Sequence, residues 1–285
     1  MAEPPASRPR ILLFIPYFGA WPEWIDLFLE TCRWNPAVDW LFLTDCPPPA
    51  NWCPNVRYHP TTLAELERRA EARLGFHVPL RRPYKVCDLR LSFALLFDDL
   101  ARGYDYLGWS DVDVVYGDLG TFLTGEALAH DLISFNAVHV SGHLALMRNM
   151  PAARALAEAV PGWREKVVAE EYMHLDEPAP EVFGDRFRVH ARESFNTPLS
   201  PIIPWRDGTF SFPREWCWSR GTLTNDKDAG IEFPYLHFMH WKGGWWPRQC
   251  GNAQWERLDR VVHLDPRDAH RGFRINEGGF FALDR

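Results

Sequence analysis

Two carboxylates one residue apart, Asp111 and Asp113, are the side chains of this sequence best suited to bind a metal ion. They follow an apolar, aromatic run that ends at Ser110, and a second apolar run begins at Val114. Because ionised carboxylates are costly to bury without a partner, we expect the strand to stop before them. Side chains two apart on extended backbone point the same way, so both could reach one Mg²⁺ or Mn²⁺ ion.

An Asp-x-Asp pair is common in surface turns, so its surroundings decide how much it indicates. Short buried runs typical of parallel strands alternate with helical patterns through the first half of the chain. Strands are predicted at residues 10–15, 39–45, 56–59 and 104–110, and helices at 22–34, 62–75 and 86–101. The pattern predicts an α/β fold with a mainly parallel sheet, and ligands bind such sheets at the carboxyl ends of their strands.

The composition narrows the class of protein. The 285 residues are 46% hydrophobic and 24% charged, which is ordinary for a globular chain, and the net charge of −7 argues against a nucleic-acid binder. The six cysteines do not have zinc-site spacing. Because the sequence shows neither a signal peptide nor an apolar run long enough to be a transmembrane segment, we expect a cytoplasmic location.

The run from Tyr84 to Leu119, YKVCDLRLSFALLFDDLARGYDYLGWSDVDVVYGDL, resembles the core of nucleotide-sugar glycosyltransferases of the GT-A fold. It is similar above all to a poorly characterised bacterial group of polysaccharide-synthesis transferases. In that group a Lys-x-x-Asp helix start leads to a W-x-D-x-D-x-x-x-G strand end, and fainter similarity extends over residues 141–149 and 235–242. The resemblance implies a Rossmann-like, mixed and mainly parallel sheet flanked by helices, with a β-rich C-terminal acceptor half.

The same resemblance implies a metal-dependent, hexosyltransferase-like enzyme. It would move a sugar from a nucleotide-diphosphate sugar, with a UDP-sugar favoured, to a hydroxyl of a carbohydrate or lipid-linked glycan acceptor, in surface polysaccharide or glycoconjugate synthesis. We expect one domain over residues 10–285, with a nucleotide-binding half at 10–135 and an acceptor half at 136–285. Residues 1–9 are expected to be disordered, and peripheral association with the inner face of the membrane is compatible with this reading.

Several residues are candidates for donor contacts. Pro16, Tyr17 and Phe18 follow the first strand, where Tyr17 or Phe18 could stack on a base or pack against the next helix. Asp45 ends the second strand, where it could contact a ribose or base, or cap the turn at residues 47–49.

Three further candidates for donor contacts lie before or within the run at residues 84–119. Arg81 and Lys85 are expected to contact the diphosphate, although either could be a solvated surface charge. Asp88 has a structural explanation as an acid in the first turn of a helix, and the resemblance implies a contact with the nucleoside.

A late segment, residues 235–244, carries the third metal ligand implied by the resemblance. His237 is favoured and His240 is the alternative, because on a strand the two would point to opposite faces. Lys242 is expected to contact the diphosphate.

Three residues are candidates for catalytic roles. Asp176 or Glu177 could be the base that deprotonates an acceptor hydroxyl in an inverting transfer, or they could form a solvated turn. His143 follows the small Ser141-Gly142 pair, which would let backbone approach a ligand, but a histidine there is more often structural.

Three rival functions fit parts of the pattern. A metal-dependent nucleotidyltransferase shares the architecture but usually has a Gly-rich basic loop, which residues 16–19 lack. A carbohydrate-binding protein could use some of the 14 tryptophans, and a degenerate transferase could bind a nucleotide without turnover.

Overall fold

A computed structural model of the protein describes residues 9–51, 53–195, 204–243 and 253–283. Apart from residue 9, the stretch expected to be disordered at 1–9 lies outside these ranges. The main sheet has seven strands in the order β3-β2-β1-β4-β7-β6-β8. They are β1 Ile11–Tyr17, β2 Val38–Thr44, β3 Val56–Pro60, β4 Tyr106–Ser110, β6 Leu132–Ser134, β7 Leu144–Arg148 and β8 Val189–Ala191.

The strands of the main sheet are mostly parallel, as the alternating pattern predicted. Parallel pairing joins β3, β2, β1 and β4, and also β6 and β8, whereas β7 runs antiparallel to both its neighbours. Alternate residues of β1 enter two different cores: Leu12 and Phe14 lie on one face, and Leu13 and Ile15 lie on the other. A strand covered on both faces is apolar throughout, which is why its sequence shows a continuous run.

The α-helices are short. They are α1 Ile25–Arg33, α2 Leu63–Leu74, α3 Phe93–Leu96, α4 Leu119–Phe122, α5 Trp163–Val168 and α6 Met239–Lys242. The start of α2 is a capping box between Thr62 and Glu65, and the helix ends at Gly75, whose φ of 78° is left-handed.

The long helix predicted over residues 86–101 is wrong. The structure has a 3₁₀ helix at Pro83–Ser92, followed by α3. Seven of the ten side chains of the 3₁₀ segment are buried, including Lys85, Asp88 and Arg90. Because the buried side chains are both polar and apolar, the segment lacks the one-sided apolar pattern of an amphipathic helix.

A second, antiparallel sheet forms the β-rich C-terminal part. Its order is β10-β9-β12-β13, from β9 Glu215–Ser219, β10 Thr222–Asn225, β12 Phe273–Asn276 and β13 Gly279–Ala282. Trp216, Trp218 and Phe273 form part of a third core there. Strands β7 and β8, which lie after the boundary expected between residues 135 and 136, belong to the main sheet.

The order of strands reverses at one point of the main sheet. From β1 the chain moves outward to β2 and β3, and it then returns to place β4 on the other side of β1. In open α/β sheets, ligands bind in the crevice outside the carboxyl ends of the strands at such a reversal, which here lies between β1 and β4. Asp111 follows the last residue of β4. Among the described residues, no helix has the length and apolar character needed to cross a membrane.

Candidate metal centre

The loop that carries both aspartates is held from two sides. Trp24 donates its indole N–H to the carbonyl of Val112 at 2.9 Å. The backbone N–H of Asp111 donates to the carbonyl of His143 at 3.0 Å. The backbone between the two carboxylates is therefore fixed by contacts from α1 and from the segment before β7.

A two-stranded ladder brings the late histidine to the aspartates. Strand β11, Tyr235–His237, pairs antiparallel with β5, Val114–Tyr116, and places His237 opposite Val114. Asp111, Asp113 and His237 each offer one ligand atom, and these atoms all lie within 4.8 Å of one another. The histidine Nε2 is 3.4 Å from Asp113 Oδ1. The grouping is the one expected from the sequence.

Asp113 is buried and ionised. Its pKa is raised by burial, but the positive charge of Lys242 and the nearby His237 outweigh this and hold the pKa well below its usual range. Lys242 Nζ lies 2.7 Å from Asp113 Oδ2, at the end of α6. Burial acts to lower the pKa of Lys242, but the negative charge of Asp113 has the larger effect. The pKa is therefore raised, and the ammonium also stays charged.

His240, the alternative metal ligand, is not in the cluster. Its ring lies 4.8 Å from that of Phe212, and burial lowers its pKa to about 4. His237 is therefore the histidine that the structure brings to the aspartates.

His143 lies behind His237. The two imidazole rings are stacked at 4.2 Å, and His143 Nε2 lies 2.7 Å from the hydroxyl of Tyr235. Burial, and then the neighbouring His237, hold the pKa of His143 well below its usual value, so the ring is neutral. The catalytic role expected for His143 is not supported by this position, because the buried ring supports His237.

Arg90 is the functional residue that the sequence reasoning missed. Its guanidinium pairs with Asp111, donates to the carbonyl of Gly142, and lies 2.8 Å from Asp176 Oδ2. One buried cation thus joins three separate segments around the centre. The available signal was a basic residue between Leu89 and Leu91 in an otherwise apolar stretch.

The two candidate bases are in different environments. Asp176 is 1% exposed and accepts a hydrogen bond from the Tyr172 hydroxyl at 2.8 Å, so it is not in the solvated turn or mobile loop expected. Burial raises its pKa to about 6 against the opposing effect of Arg90. Glu177 is about one-third exposed and lies against Gly142, where an added Cβ would overlap its carboxylate. Of the two, only Glu177 is accessible from solvent.

Lys85 and Asp88 do not reach the centre's surface. They form a buried ion pair at 2.8 Å, and Lys85 also donates to the carbonyls of Lys166 and Glu171. Asp88 accepts from the backbone N–H groups of Met173 and Leu175. Lys85 was expected to contact a diphosphate and Asp88 a nucleoside. Both have a structural role instead, because every one of these bonds lies inside the protein.

The remaining donor candidates lie at or beyond the end of β1. Tyr17 stacks on the ring of Trp21 at 5.2 Å, and Phe18 packs against a core. Pro16 pairs with Leu43 within the sheet.

Asp45 and Arg81 occupy different positions. Asp45 Oδ1 accepts the backbone N–H of Gly19 at 2.8 Å, so it caps the loop after β1 and not the turn at residues 47–49. Arg81 is exposed in the loop before Pro83.

The donor set fits a divalent ion. Two carboxylates supply hard oxygen ligands, and an imidazole adds a nitrogen, a mixture better suited to Mn²⁺ than to Mg²⁺. The ammonium group of Lys242 beside Asp113 shows that the position attracts positive charge.

Comparison with proteins of curated function finds no match to the chain. Residues 13–242 match the model of a family of unknown function, DUF6625, and the chain therefore belongs to that family.

Proposed function

We propose that the protein is a metal-dependent glycosyltransferase that uses a nucleotide-diphosphate sugar. The observation that carries the proposal is the position of Asp111, Asp113 and His237 at the carboxyl ends of β1 and β4, where the strand order reverses. That crevice is the general ligand site of open α/β sheets. A metal cluster at such a crevice suits a ligand that carries phosphates, because divalent cations bind phosphate oxygens.

The three cluster residues would hold a divalent ion, which supplies Lewis-acid neutralisation of a diphosphate leaving group. Lys242 adds a fixed positive charge, since 39% of its side chain is exposed and its pKa is raised. Arg90 is too buried to meet a ligand directly, so it orients Asp111 instead.

Glu177 supports an inverting transfer better than Asp176 does. The carboxylate of Asp176 is occupied by Arg90 and Tyr172, whereas Glu177 is partly exposed beside Gly142 and His174. A base must come within hydrogen-bond reach of the acceptor hydroxyl, which an accessible side chain can do. A retaining transfer would not need this base, and Glu177→Gln would then leave the rate nearly unchanged.

The test is calorimetric titration of UDP, GDP and CMP, each with and without Mn²⁺. We expect one nucleotide to bind in the micromolar range, only with Mn²⁺, to the wild type and not to Asp113→Ala. The exposed Asp185→Ala is the matched control and should bind like the wild type. Binding that ignores both the metal and Asp113, or no binding at all, would remove the basis of the proposal.

Turnover separates the transferase from its rivals. Incubation with UDP-sugars and glycan acceptors should release UDP from a transferase, whereas a nucleotidyltransferase would release pyrophosphate from a nucleoside triphosphate. A protein that only binds nucleotide would give the calorimetric result without either product.

A further inference from the structure

A second cavity lies apart from the metal centre. Its volume is about 450 Å³, within the usual range for sites that bind small molecules. Five parts of the chain form its walls: residues 121–127 from α4 onward, residues 133–135 at the end of β6, residues 190–195 from β8 onward, Arg206, and residues 232–234 before β11. Because β6 and β8 run parallel to β4, the cavity opens at the same edge of the sheet as the centre.

The charges on the walls nearly cancel. Carboxylates and basic side chains both line the cavity: Glu126, Glu193, Glu232, Arg192, Arg206 and His190. An anionic ligand would face three carboxylates, and a cationic ligand would face two guanidinium groups. A neutral ligand with many hydroxyls can donate to the carboxylates and accept from the guanidinium groups, so it suits this lining best.

Aromatic rings form the apolar part of the walls. Phe122, Phe135, Phe195 and Phe233 line the cavity, and the guanidinium of Arg206 lies about 6 Å from the last two rings. Thr121, Thr124 and Ser134, which carry hydroxyl groups, also line the cavity. Flat apolar faces next to planar polar groups match the two sides of a pyranose ring, one bearing C–H groups and the other hydroxyls.

We propose that this cavity is a binding site for a neutral sugar residue. The site is separate from the metal centre and would exist whether or not the protein transfers sugars. Two side chains link the cavity to the centre: the ring of Phe135, which lines the cavity, packs on Tyr235 at 5.3 Å, and the Tyr235 hydroxyl lies 2.7 Å from His143. A sugar bound here would therefore be separated by Phe135 and Tyr235 from the ring that supports His237.

The test is ligand-observed NMR with the methyl glycosides of glucose, galactose and mannose. We expect at least one to bind with millimolar affinity, and the matching methyl uronide, which adds one carboxylate, to bind more weakly. Arg206→Ala and Glu232→Gln alter exposed side chains, so both variants should fold. Each should weaken binding about fivefold or more through the loss of a charged hydrogen-bond partner.

Three controls make the outcome decisive. Arg267→Ala and Glu277→Gln change exposed residues outside the cavity and should bind sugar like the wild type. Asp113→Ala should also retain sugar binding, even if it loses nucleotide, which separates this site from the metal centre. No binding of any of the three glycosides, tighter binding of the uronide, or loss in Asp113→Ala with retention in the cavity variants would each overturn the proposal.

Discussion

Two lysine–aspartate pairs of this protein have nearly the same geometry and different consequences. Lys85 lies 2.8 Å from Asp88, and Lys242 lies 2.7 Å from Asp113. In the first pair both side chains are almost fully buried, whereas in the second the lysine is partly exposed. Both lysines were expected to contact a diphosphate, so the comparison shows what distinguishes a structural pair from one placed to bind a ligand.

The difference lies in how many hydrogen bonds each ammonium already makes. Lys85 donates to Asp88 and to two backbone carbonyls, which uses all three of its N–H groups. Within the described part of the chain, the ammonium group of Lys242 makes one hydrogen bond, to Asp113. A saturated buried pair stabilises the fold, while a partly exposed lysine with spare donors can also meet a ligand.

Breaking the saturated pair should have the largest effect. Asp88→Ala leaves the Lys85 ammonium buried without its carboxylate, and it also removes the acceptor for two backbone N–H groups. We expect the free energy of unfolding to fall by about 3–5 kcal/mol. Urea unfolding would measure this loss. The control, Asp98→Ala, removes a partner of the more exposed Arg73 and should cost less than about 1 kcal/mol. Equal costs in the two variants would contradict the comparison.

Acid should weaken the helix that carries Lys242. His240 lies on α6, and burial lowers its pKa from 6.5 to about 4. Between these values the unfolded chain binds a proton that the folded chain does not, so stability present above pH 6.5 is lost as the pH falls towards 4. The loss should be at most about 3 kcal/mol.

The check is unfolding free energy at pH 7 and pH 4 for the wild type and His240→Gln. The variant should lack this part of the acid loss, and the exposed His270→Gln should keep it. An identical pH dependence in His240→Gln and the wild type would show that the burial of His240 does not anchor α6.

Removing the partly exposed lysine should separate binding from stability. We expect Lys242→Met to weaken Mn²⁺-dependent nucleotide binding about tenfold, because a charged donor is lost. The free energy of unfolding should fall less than in Asp88→Ala, by about 1–3 kcal/mol, because Asp113 stays buried but keeps His237 beside it. Lys227→Met, which removes a lysine paired with Asp207, serves as the control and should leave nucleotide affinity unchanged. A large stability loss without a binding loss would make Lys242 a second structural lysine.

The smallest effect should come from the loop between the aspartates. Trp24→Phe keeps an aromatic ring but removes the hydrogen bond to the carbonyl of Val112. We expect a loss of about 1 kcal/mol in stability, measured by urea unfolding, and a loss of nucleotide affinity smaller than that of Lys242→Met. Trp21→Phe, which removes a comparable bond to the carbonyl of Pro47, should not change the affinity.

The features predicted well from the sequence are those set by residues that are close together in the chain. Continuous apolar runs indicated the strands of the parallel sheet, and the i, i+2 spacing indicated that Asp111 and Asp113 act together. The alternation of a strand indicated that only one of His237 and His240 could reach the aspartates, although the chain turns into α6 directly after Phe238. Local geometry was sufficient in each case.

The features that were missed depend on contacts between distant segments. Arg90 meets Asp111, Gly142 and Asp176, which lie 21, 52 and 86 positions away. The pattern Lys-x-x-Asp reads the same whether the pair faces a ligand or the interior, so the burial of Lys85 could not be read from it. The second cavity is formed by five parts of the chain that only the tertiary fold brings together.

The ladder between β5 and β11 has a consequence for the growing chain. Lys242 is made 129 positions after Asp113, so a nascent polypeptide presents both aspartates well before their cationic partner leaves the ribosome. The main sheet can assemble from residues up to Ala191, and β11 must then add to β5 as a late docking step. The complete cluster of Asp111, Asp113 and His237 therefore forms only when translation has passed His237.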